Sequence, residues 1–218
     1  MFTDDLFGPS EAFKSTEKHG VDTHLFRGLA VESASELLRL IGTIDEQSPF
    51  KDMFTPSGLL MSVKTTECGK LGWRASNDVG HYYNKRNPVA QKSWPLMPAL
   101  FRDLAVEAAL KAGFNLFEPD ACIINKYLPG AKLGMHQDRD ELDFSQPIVS
   151  LSLGLPATFK LGGSERTDPA ISVQLNHGDV IVWGGQDRLR YHGVLPIKEG
   201  FHPLTGGARY NLTFRVAG

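Results

Sequence analysis

The sequence predicts a mainly β protein with flanking helices, an α+β fold in which the strands form an antiparallel sandwich or barrel. From Asp120 onward, short runs rich in Ile, Val, Leu, Phe and Tyr are separated by Pro-Gly, Gly-Gly and His-Gly-Asp turns. Two earlier segments carry apolar residues at helical spacing. The chain has 218 residues and 41% hydrophobic composition, enough for one sizeable core. We expect a single domain over residues 1–218, with an N-terminal extension to about residue 115 and the strand core over about 116–218.

The two predicted helices both lie in the N-terminal extension. The first has apolar side chains at helical spacing: Leu37, Leu38, Ile41 and Ile44. Ser33 or Ser35 is available as its N-cap. The second, in MPALFRDLAVEAALKAGF, is entered at Pro98 and ends at Gly113, a residue type favoured just beyond a helix C-terminus. The first thirty residues have no sustained periodicity, so we expect them to form an arm over the body of the protein.

Composition and charge argue against several classes of protein. No stretch is apolar for long enough to cross a bilayer, and the acidic start MFTDDLFGPSE lacks the pattern of a secretory signal, so we expect a cytoplasmic protein with no membrane partner. Cys68 and Cys122 are far apart and outside any CxxC motif, which favours buried thiols over a disulfide or a zinc site. The net charge of −2 gives no global basic field, and a monomer is the default expectation.

One segment departs from that charge balance. Between Leu60 and Arg102, seven basic residues stand against two acidic ones, a local charge of +5. Four aromatic residues are interleaved with those cations: Trp73, Tyr82, Tyr83 and Trp94. Basic and aromatic groups together suit a surface that contacts phosphates and stacks on bases. The alternative is a solvated loop with scattered charges.

A His-x-Asp pair offers the first candidate metal ligands. His136 and Asp138 follow a short apolar strand, and because a strand alternates its faces, both side chains can hold one ion from the same side. The same pattern recurs at His177 and Asp179, where Asn, Gly and Asp predict a turn ahead of the apolar strand VIVW. Since the pattern arises so easily, we interpret the second copy as part of a turn and not as a metal site.

A third ligand has to come from another histidine. The downstream candidates are His177, His192 and His202. His192 follows the strand-like run RLRY, whereas His202 precedes a proline and is predicted to lie in a loop. Two imidazoles and one carboxylate leave adjacent coordination positions open, as in non-haem Fe(II) oxygenases. The alternative is a core histidine beside a surface aspartate.

The last predicted strand, ARYNLTFRV, alternates between apolar and polar residues. Its polar face carries Arg209, Asn211, Thr213 and Arg215. If this face lines a closed sheet, two arginines are buried, and an unpaired buried cation costs several kcal/mol. A dicarboxylate near the metal would pair with both guanidinium groups. Asn125 and Tyr127 offer polar groups to the same ligand. The alternative is that this face is the hydrated outside of the sheet.

With these residues assembled, the chain resembles the AlkB family of Fe(II)- and 2-oxoglutarate-dependent dioxygenases. The segments that carry the resemblance include CGKLGW, PDACIINKYLPGAKL, HQDRDE, HGDVIVWGG and RYNLTFR, spread over most of the chain. The resemblance implies a double-stranded β-helix, or jelly roll, with an N-terminal extension that forms a nucleotide-recognition lid. It also implies Fe(II) as the metal, with 2-oxoglutarate and O₂ as co-substrates.

The resemblance further implies roles for individual residues. The matching iron ligands are His136, Asp138 and His192. The matching 2-oxoglutarate contacts are Asn125, Tyr127, Arg209, Asn211 and Arg215. Arg209 is expected on the distal carboxylate and Arg215 nearer the metal. The implied substrate contacts are Trp73, His81, Tyr83, Asp140, Glu141 and Arg166. Two positions depart from the family pattern, since His81 stands where the pattern has a tyrosine and Thr65 where it has a methionine.

The activity that the resemblance implies is oxidative demethylation of alkylated nucleic-acid bases. N1-methyladenine and N3-methylcytosine in DNA would be hydroxylated on the N-methyl group, releasing formaldehyde, succinate and CO₂. Such a base must leave its stack, so the expected partner is single-stranded DNA or a flipped base in a duplex. Both lesions are cationic, and Asp140 or Glu141 could favour the charge while Trp73 stacks on the base. The alternatives are an oxygenase acting on RNA or another substrate, and a non-enzymatic nucleic-acid binder on the same scaffold.

Overall fold

The computed structural model describes residues 15–55, 58–76, 80–87 and 92–218. The helices in these ranges are α1 (Ala34–Gln47) and α2 (Ala99–Lys111). The strands of the first half are β1 (Thr16–Lys18), β2 (Thr23–Phe26), β3 (Lys51–Phe54), β4 (Leu60–Gly69), β5 (Gly72–Ser76) and β6 (Gly80–Asn84). Those of the second half are β7 (Ala121–Tyr127), β8 (Leu133–His136), β9 (Ile148–Gly154), β10 (Ala157–Leu161), β11 (Ile171–Leu175), β12 (Val180–Trp183), β13 (His192–Val194) and β14 (Arg209–Arg215). The predicted α+β class is confirmed.

The described strands form two facing antiparallel sheets and a separate hairpin. The larger sheet has the order β1-β2-β12-β9-β14-β7-β4-β3, and the smaller has the order β11-β10-β13-β8. Buried apolar side chains of both sheets pack together between them: Phe159 of β10 lies against Trp183 of β12, with ring centroids 5.9 Å apart. The hairpin of β5 and β6 is a sheet of its own. This architecture is the double-stranded β-helix, or jelly roll, that the sequence predicted.

Both predicted helices are confirmed, with boundaries close to those expected. α1 begins after Ser33, whose side chain makes no capping hydrogen bond, so packing contributes more to this helix than its cap does. α2 begins after Pro98 and ends just before Gly113, which has a φ of +96° that favours glycine. The buried faces of both helices join one core cluster with residues of β9 and β14. The helices therefore cover the outer face of the larger sheet.

This helix layer decides which face of β14 points inward. Leu212 and Phe214 belong to the core cluster beneath the helices, and Phe101 of α2 packs edge-on against Phe214 with centroids 6.3 Å apart. The alternate residues of β14 line a cavity between the two sheets: Arg209, Asn211, Thr213 and Arg215. The alternative of a hydrated outer face is therefore wrong.

The N-terminal part of the chain contributes more to the larger sheet than the sequence predicted. β2 pairs with β12, and β4 pairs with β7, so strands that precede residue 115 extend the sheet on both sides of the later strands. The arm expected over the first thirty residues is wrong for residues 15–30, because β1 and β2 form one edge of this sheet, and residues 1–14 lie outside the described part of the chain. Strands of three and four residues are too short to carry a recognisable alternation.

The two cysteines are free and fully buried, as predicted. Cys68 and Cys122 are cross-strand partners in the β4–β7 pair. Burial raises the pKa of the Cys122 thiol, with Cys68 adding to the effect, so this thiol stays protonated. Within the described ranges, no helix is both long and apolar enough to cross a membrane.

Candidate active site

The candidate metal ligands meet at one end of the smaller sheet. His136 ends β8 and His192 begins β13, and the two are direct cross-strand partners with ring centroids 4.4 Å apart. Asp138 lies in the loop after β8, and each of the three residues offers a ligand atom within 4.8 Å of the others. The strand-like run predicted before His192 is wrong, because these residues form a turn in which the Arg190 N–H donates to the Asp187 carbonyl.

Backbone carbonyls orient both imidazole rings. Nδ1 of His136 lies 2.9 Å from the carbonyl oxygen of Gly134, and Nδ1 of His192 lies 3.0 Å from that of Arg190. Because a carbonyl oxygen only accepts, Nδ1 carries the proton of each neutral ring and Nε2 presents a lone pair. Each Nε2 atom lies 3.8 Å from an oxygen of Asp138. Two imidazole lone pairs and one carboxylate within reach of a common ion are a donor set that suits Fe(II).

The electrostatics of the site favour the metal-binding forms of His192 and Asp138. Burial lowers the pKa of His192 to about 4, and the neighbouring His136 adds to the effect, so the His192 ring is neutral at physiological pH. Burial by itself would raise the pKa of Asp138, but the Arg215 guanidinium and the two imidazoles bring that pKa below its ordinary value. Neutral imidazole and ionised carboxylate are the forms that bind a divalent cation.

Arg209 is a buried cation with no carboxylate partner among the described residues. The residue is 1% exposed, and its guanidinium donates to Ser152 Oγ at 2.7 Å and to the Leu155 carbonyl at 3.1 Å. Its Nε is buried without a hydrogen-bond partner in the described part of the chain. Burial lowers the pKa of Arg209 to about 10. Since an unpaired buried charge is costly, this side chain is suited to receive an anion in the cavity that it lines.

Arg215 lies closer to the metal-ligand cluster. Its Nη2 donates to Asp138 Oδ2 at 2.9 Å, and its Nε lies 3.0 Å from Glu141 Oε1. Burial alone would lower the pKa of Arg215, but Asp138, with Tyr83 and Glu141, raises it above its ordinary value. Its Nη1 is buried and has no hydrogen-bond partner within the described ranges. That nitrogen leaves a donor for a further acceptor beside the metal ligands.

The other predicted co-substrate residues line the same cavity: Asn125, Tyr127 and Asn211. The Asn211 amide donates to Ser150 Oγ at 2.7 Å and to a neighbouring carbonyl, and it accepts from Thr213 at 3.0 Å. Asn125 Oδ1 accepts from Thr65 at 2.8 Å, while its Nδ2 has no protein partner in the described part of the chain. The protein therefore occupies the donors of Asn211 and leaves those of Asn125 for a ligand.

Two hydrogen bonds join the β5–β6 hairpin to the loop that follows Asp138. The indole Nε1 of Trp73 donates to Asp140 Oδ2 at 2.7 Å. The hydroxyl of Tyr83 donates to Glu141 Oε1 at 2.7 Å. Four residues predicted as substrate contacts are thus partners of one another across these two elements.

Glu141 is the centre of a buried ion-pair network that the sequence did not reveal. It is 5% exposed, and its Oε2 accepts from Arg188 Nη2 at 3.0 Å. Arg188 also donates to the carbonyls of Asp138 at 2.8 Å and Gln146 at 2.9 Å. These partners lie 42 to 50 residues before Arg188, so no local pattern could have indicated them. Glu141 thus holds neighbouring cations and does not face open solvent.

Arg166, another predicted substrate residue, stands apart from this network. Arg166 is exposed, and its Nη2 donates at 2.8 Å to the carbonyl of Met135, the neighbour of His136 on β8. Its guanidinium lies 5.8 Å from the centroid of the Tyr191 ring. The backbone of His81 belongs to β6, but its side chain lies outside what the structure describes.

The second His-x-Asp sequence is part of a turn, as predicted. His177 Nδ1 accepts a backbone N–H at 2.9 Å, and Gly178 has a φ of +80°. Asp179 pairs with Arg27 at 2.7 Å. His202 lies in a loop and stacks on His177, with centroids 4.1 Å apart. Neither histidine belongs to the group of candidate metal ligands.

Comparison with known proteins identifies the family. Residues 22–215 match the model of the 2OG-Fe(II) oxygenase superfamily. The chain is 50% identical to "Alpha-ketoglutarate-dependent dioxygenase AlkB" of Escherichia coli, over 98% of this chain and 98% of that protein. The chain belongs to the AlkB family of 2OG-Fe(II) oxygenases. Another AlkB-family relative, human "Nucleic acid dioxygenase ALKBH1", is 35% identical over 60% of this chain and 34% of its own length. The solved structure titled "The structure of OsALKBH1" has a TM-score of 0.81 at 28% identity, covering 92% of this chain and 99% of that one.

AlkB-family membership makes this chain an Fe(II)- and 2-oxoglutarate-dependent dioxygenase that uses O₂. The non-enzymatic alternative is therefore wrong. The residues of the site fit these groups, because His136, Asp138 and His192 form a donor set for Fe(II). Arg209 and Arg215 supply buried donors that have no hydrogen-bond partner among the described residues and can serve an anionic co-substrate.

Proposed function

We propose that this AlkB-family enzyme is an oxidative demethylase of alkylated nucleic-acid bases that acts on N1-methyladenine and N3-methylcytosine in DNA. The observation that carries the proposal is the adjacency of two groups. The His136–Asp138–His192 cluster is followed at once by Asp140, whose carboxylate is bonded to the Trp73 indole of the hairpin. An oxidising centre beside an aromatic ring and a carboxylate suits a flat, cationic N-methylated base. The human relative, a nucleic acid dioxygenase by name, supports the same substrate class.

In the proposed site, His136, Asp138 and His192 hold Fe(II). The carbonyls that accept from the two Nδ1 atoms hold both rings with Nε2 available to the metal. The apolar rings of Phe159 and Trp183 pack against His192 and limit the access of water on that side. When bound, iron together with 2-oxoglutarate and O₂ supplies the oxidising power that hydroxylates the N-methyl group, and formaldehyde, succinate and CO₂ leave.

The proposed co-substrate residues divide by their distance from the metal ligands. Arg209 has no acidic partner among the described residues, and it receives the distal carboxylate of 2-oxoglutarate. Arg215 is bonded to Asp138 and holds the metal-proximal end through its remaining donor. Asn125 donates from Nδ2. Tyr127 and Asn211 complete the wall of the cavity.

The proposed base-recognition pair is Trp73 and Asp140. An alkylated adenine or cytosine of this kind is positively charged, so the Asp140 carboxylate favours it and the indole stacks on it with cation–π attraction. The hydrogen bond between the two side chains sets their relative position before the base arrives. The remaining proposed nucleotide contacts are His81, Tyr83, Glu141 and Arg166. We name the β5–β6 hairpin, residues 72–76 and 80–84, the nucleotide-recognition lid.

The substrate base must leave its stack to reach this site, so single-stranded DNA or a flipped base in a duplex is the proposed partner. A methyl group on the pairing edge lowers the cost of extrusion, since the base has already lost its partner. We further propose that residues 1–218 act as one domain, because strands before and after residue 115 share the larger sheet. A monomeric state and a cytoplasmic location stay predictions.

The test is formaldehyde release from oligonucleotides that contain one N1-methyladenine or N3-methylcytosine. Methylated DNA, RNA of the same sequence and the free methylated nucleoside are compared at equal concentration, with Fe(II) and 2-oxoglutarate present. We expect turnover of DNA to exceed that of RNA and of the nucleoside. Equal turnover of all three would end the DNA proposal, and faster turnover of RNA would favour the RNA alternative.

A further inference from the structure

Thr65 lies where the larger sheet meets the proposed co-substrate site. It is on β4, directly opposite Asn125 of β7, and is 2% exposed. Its hydroxyl donates to Asn125 Oδ1 at 2.8 Å. Val63, two residues earlier on the same face of β4, is buried in an apolar cluster, so the polar contact on this part of the face begins at Thr65.

The Thr65 contact decides which end of the Asn125 amide is left for a ligand. With Oδ1 taken by the hydroxyl, both hydrogens of Nδ2 remain, and no described residue accepts them. Asn211, the cross-strand neighbour of Asn125 on β14, already donates to Ser150 and accepts from Thr213. Of these two amide side chains, Asn125 is therefore the one that still has donors to offer an anion.

We propose that Thr65 is a positioning residue for 2-oxoglutarate, acting through Asn125. By holding Oδ1, it keeps Nδ2 directed toward the cavity and its anionic occupant. Without the hydroxyl, the amide is free to turn its oxygen toward the cavity that Arg209 and Arg215 line, where that oxygen competes with the co-substrate carboxylates for the guanidinium donors. This inference rests on the proposed function and adds to it a residue from the N-terminal part of the chain.

The test compares three single substitutions of full-length protein. Thr65→Val keeps the shape and removes the hydroxyl, whereas Thr65→Ser keeps the hydroxyl. Thr66→Val is the matched control, because Thr66 is also fully buried on β4 but bonds the Ser48 carbonyl, away from the cavity. The Kd for 2-oxoglutarate is measured by calorimetry under nitrogen with Mn(II) as the probe metal, and KM and kcat are measured with Fe(II) and methylated DNA.

We expect Thr65→Val to raise the Kd and KM for 2-oxoglutarate roughly three- to tenfold, the factor that corresponds to one ordinary hydrogen bond. The loss should appear in KM more than in kcat, because saturating co-substrate restores the amide orientation. Thr65→Ser should stay within about twofold of the parent protein. Thr66→Val should lower Tm without changing the Kd. In NMR spectra of the ligand-free protein, Thr65→Val should also shift the Asn125 side-chain amide signals.

An unchanged Kd in Thr65→Val would overturn the inference, as would an equal rise in Thr66→Val, since that would reflect general destabilisation. A Thr65→Ser protein as weak as Thr65→Val would overturn it too. These outcomes are distinct from failure of the proposed function. If the parent protein binds 2-oxoglutarate but releases no formaldehyde from methylated nucleic acid, the proposed substrate is wrong while the role of Thr65 stands or falls on the Kd alone.

Discussion

Tyr83 donates a hydrogen bond of 2.7 Å to Glu141, and this contact ties the nucleotide-recognition lid to the proposed metal site. Glu141 lies 3.0 Å from Arg215, and Arg215 donates to Asp138 at 2.9 Å. Two side chains therefore stand between a lid residue and a proposed iron ligand. The position of the lid and the geometry of the metal ligands depend on the same buried charges.

Tyr83→Phe removes the hydroxyl that donates to Glu141 while keeping the ring. We expect KM for a methylated oligonucleotide to rise roughly tenfold, because a hydrogen bond to a charged acceptor contributes about 1.5–3 kcal/mol. The Kd for 2-oxoglutarate should change much less, since Arg209 and Asn125 are untouched. Steady-state kinetics and calorimetry check both values. Tyr82→Phe, at the adjacent position of β6, is the control, and equal effects of the two substitutions would contradict a specific role for the Glu141 contact.

Arg209→Met replaces the unpaired buried cation with an uncharged side chain of similar length. We expect the ligand-free protein to keep or increase its Tm, because removing a buried charge that has no carboxylate partner among the described residues relieves a desolvation cost. The Kd for 2-oxoglutarate should rise roughly 30-fold or more, as expected when one partner of a buried charge pair is lost. Differential scanning fluorimetry and calorimetry measure the two effects. A protein that is strongly destabilised yet still binds 2-oxoglutarate tightly would show that Arg209 serves the fold and not the co-substrate.

His136→Ala tests the metal site against the second His-x-Asp sequence. In the parent protein, Mn(II) with 2-oxoglutarate should raise Tm, because both bind only the folded state. His136→Ala should abolish this shift and the release of formaldehyde. His177→Ala loses a hydrogen bond in the turn but should retain the metal-dependent shift. Retention of the full shift in His136→Ala would mean that the metal binds elsewhere.

Asp140→Asn removes the proposed base-recognition charge while keeping an oxygen that can accept from Trp73. For N1-methyladenine in DNA, kcat/KM should fall roughly tenfold, because one charge interaction at a partly exposed site contributes on the order of 1–2 kcal/mol. An uncharged methylated base such as N3-methylthymine should be affected less. Parallel kinetics on the two oligonucleotides give the ratio. The same fold-loss on both substrates would contradict charge recognition by Asp140.

Arg188→Ala tests the buried network behind the site. Removing this guanidinium leaves two carbonyls without their donor and takes one cation from Glu141, which keeps Tyr83 and Arg215, so the free energy of unfolding should fall by about 3 kcal/mol. Arg39→Ala breaks another Arg–Glu pair, but one that is exposed on α1 and screened by solvent, so the free energy of unfolding should stay nearly unchanged. Urea unfolding followed by circular dichroism measures both. A similar small cost in the two proteins would mean that the Arg188 network contributes little to stability.

The sequence by itself determined the class of the protein and much of its proposed site. The apolar periodicity of α1 and α2, and the turn residues after Asp120, report local backbone geometry, which is why both helices and the β-rich second half were predicted. The alternation in β14 likewise predicted that Arg209 and Arg215 share a face. The segments that resemble the AlkB family supplied the proposed metal and co-substrate residues. These patterns can be recognised without a structure because each lies within a short stretch of the chain.

Other features of the site depend on strand register and on how the helices and sheets pack, and only the tertiary structure decided these. The helices cover one face of the larger sheet, and this makes the arginine face of β14 the inside. The β8–β13 register brings His192, and not His177 or His202, beside His136. Arg188 and Thr65 take their roles from partners at least 42 residues away, a distance over which no local pattern carries information. Hydrogen bonds and ion pairs between distant segments form only after the sheets have packed. For that reason, the contacts of Arg188 and Thr65 with the site residues were found in the structure alone.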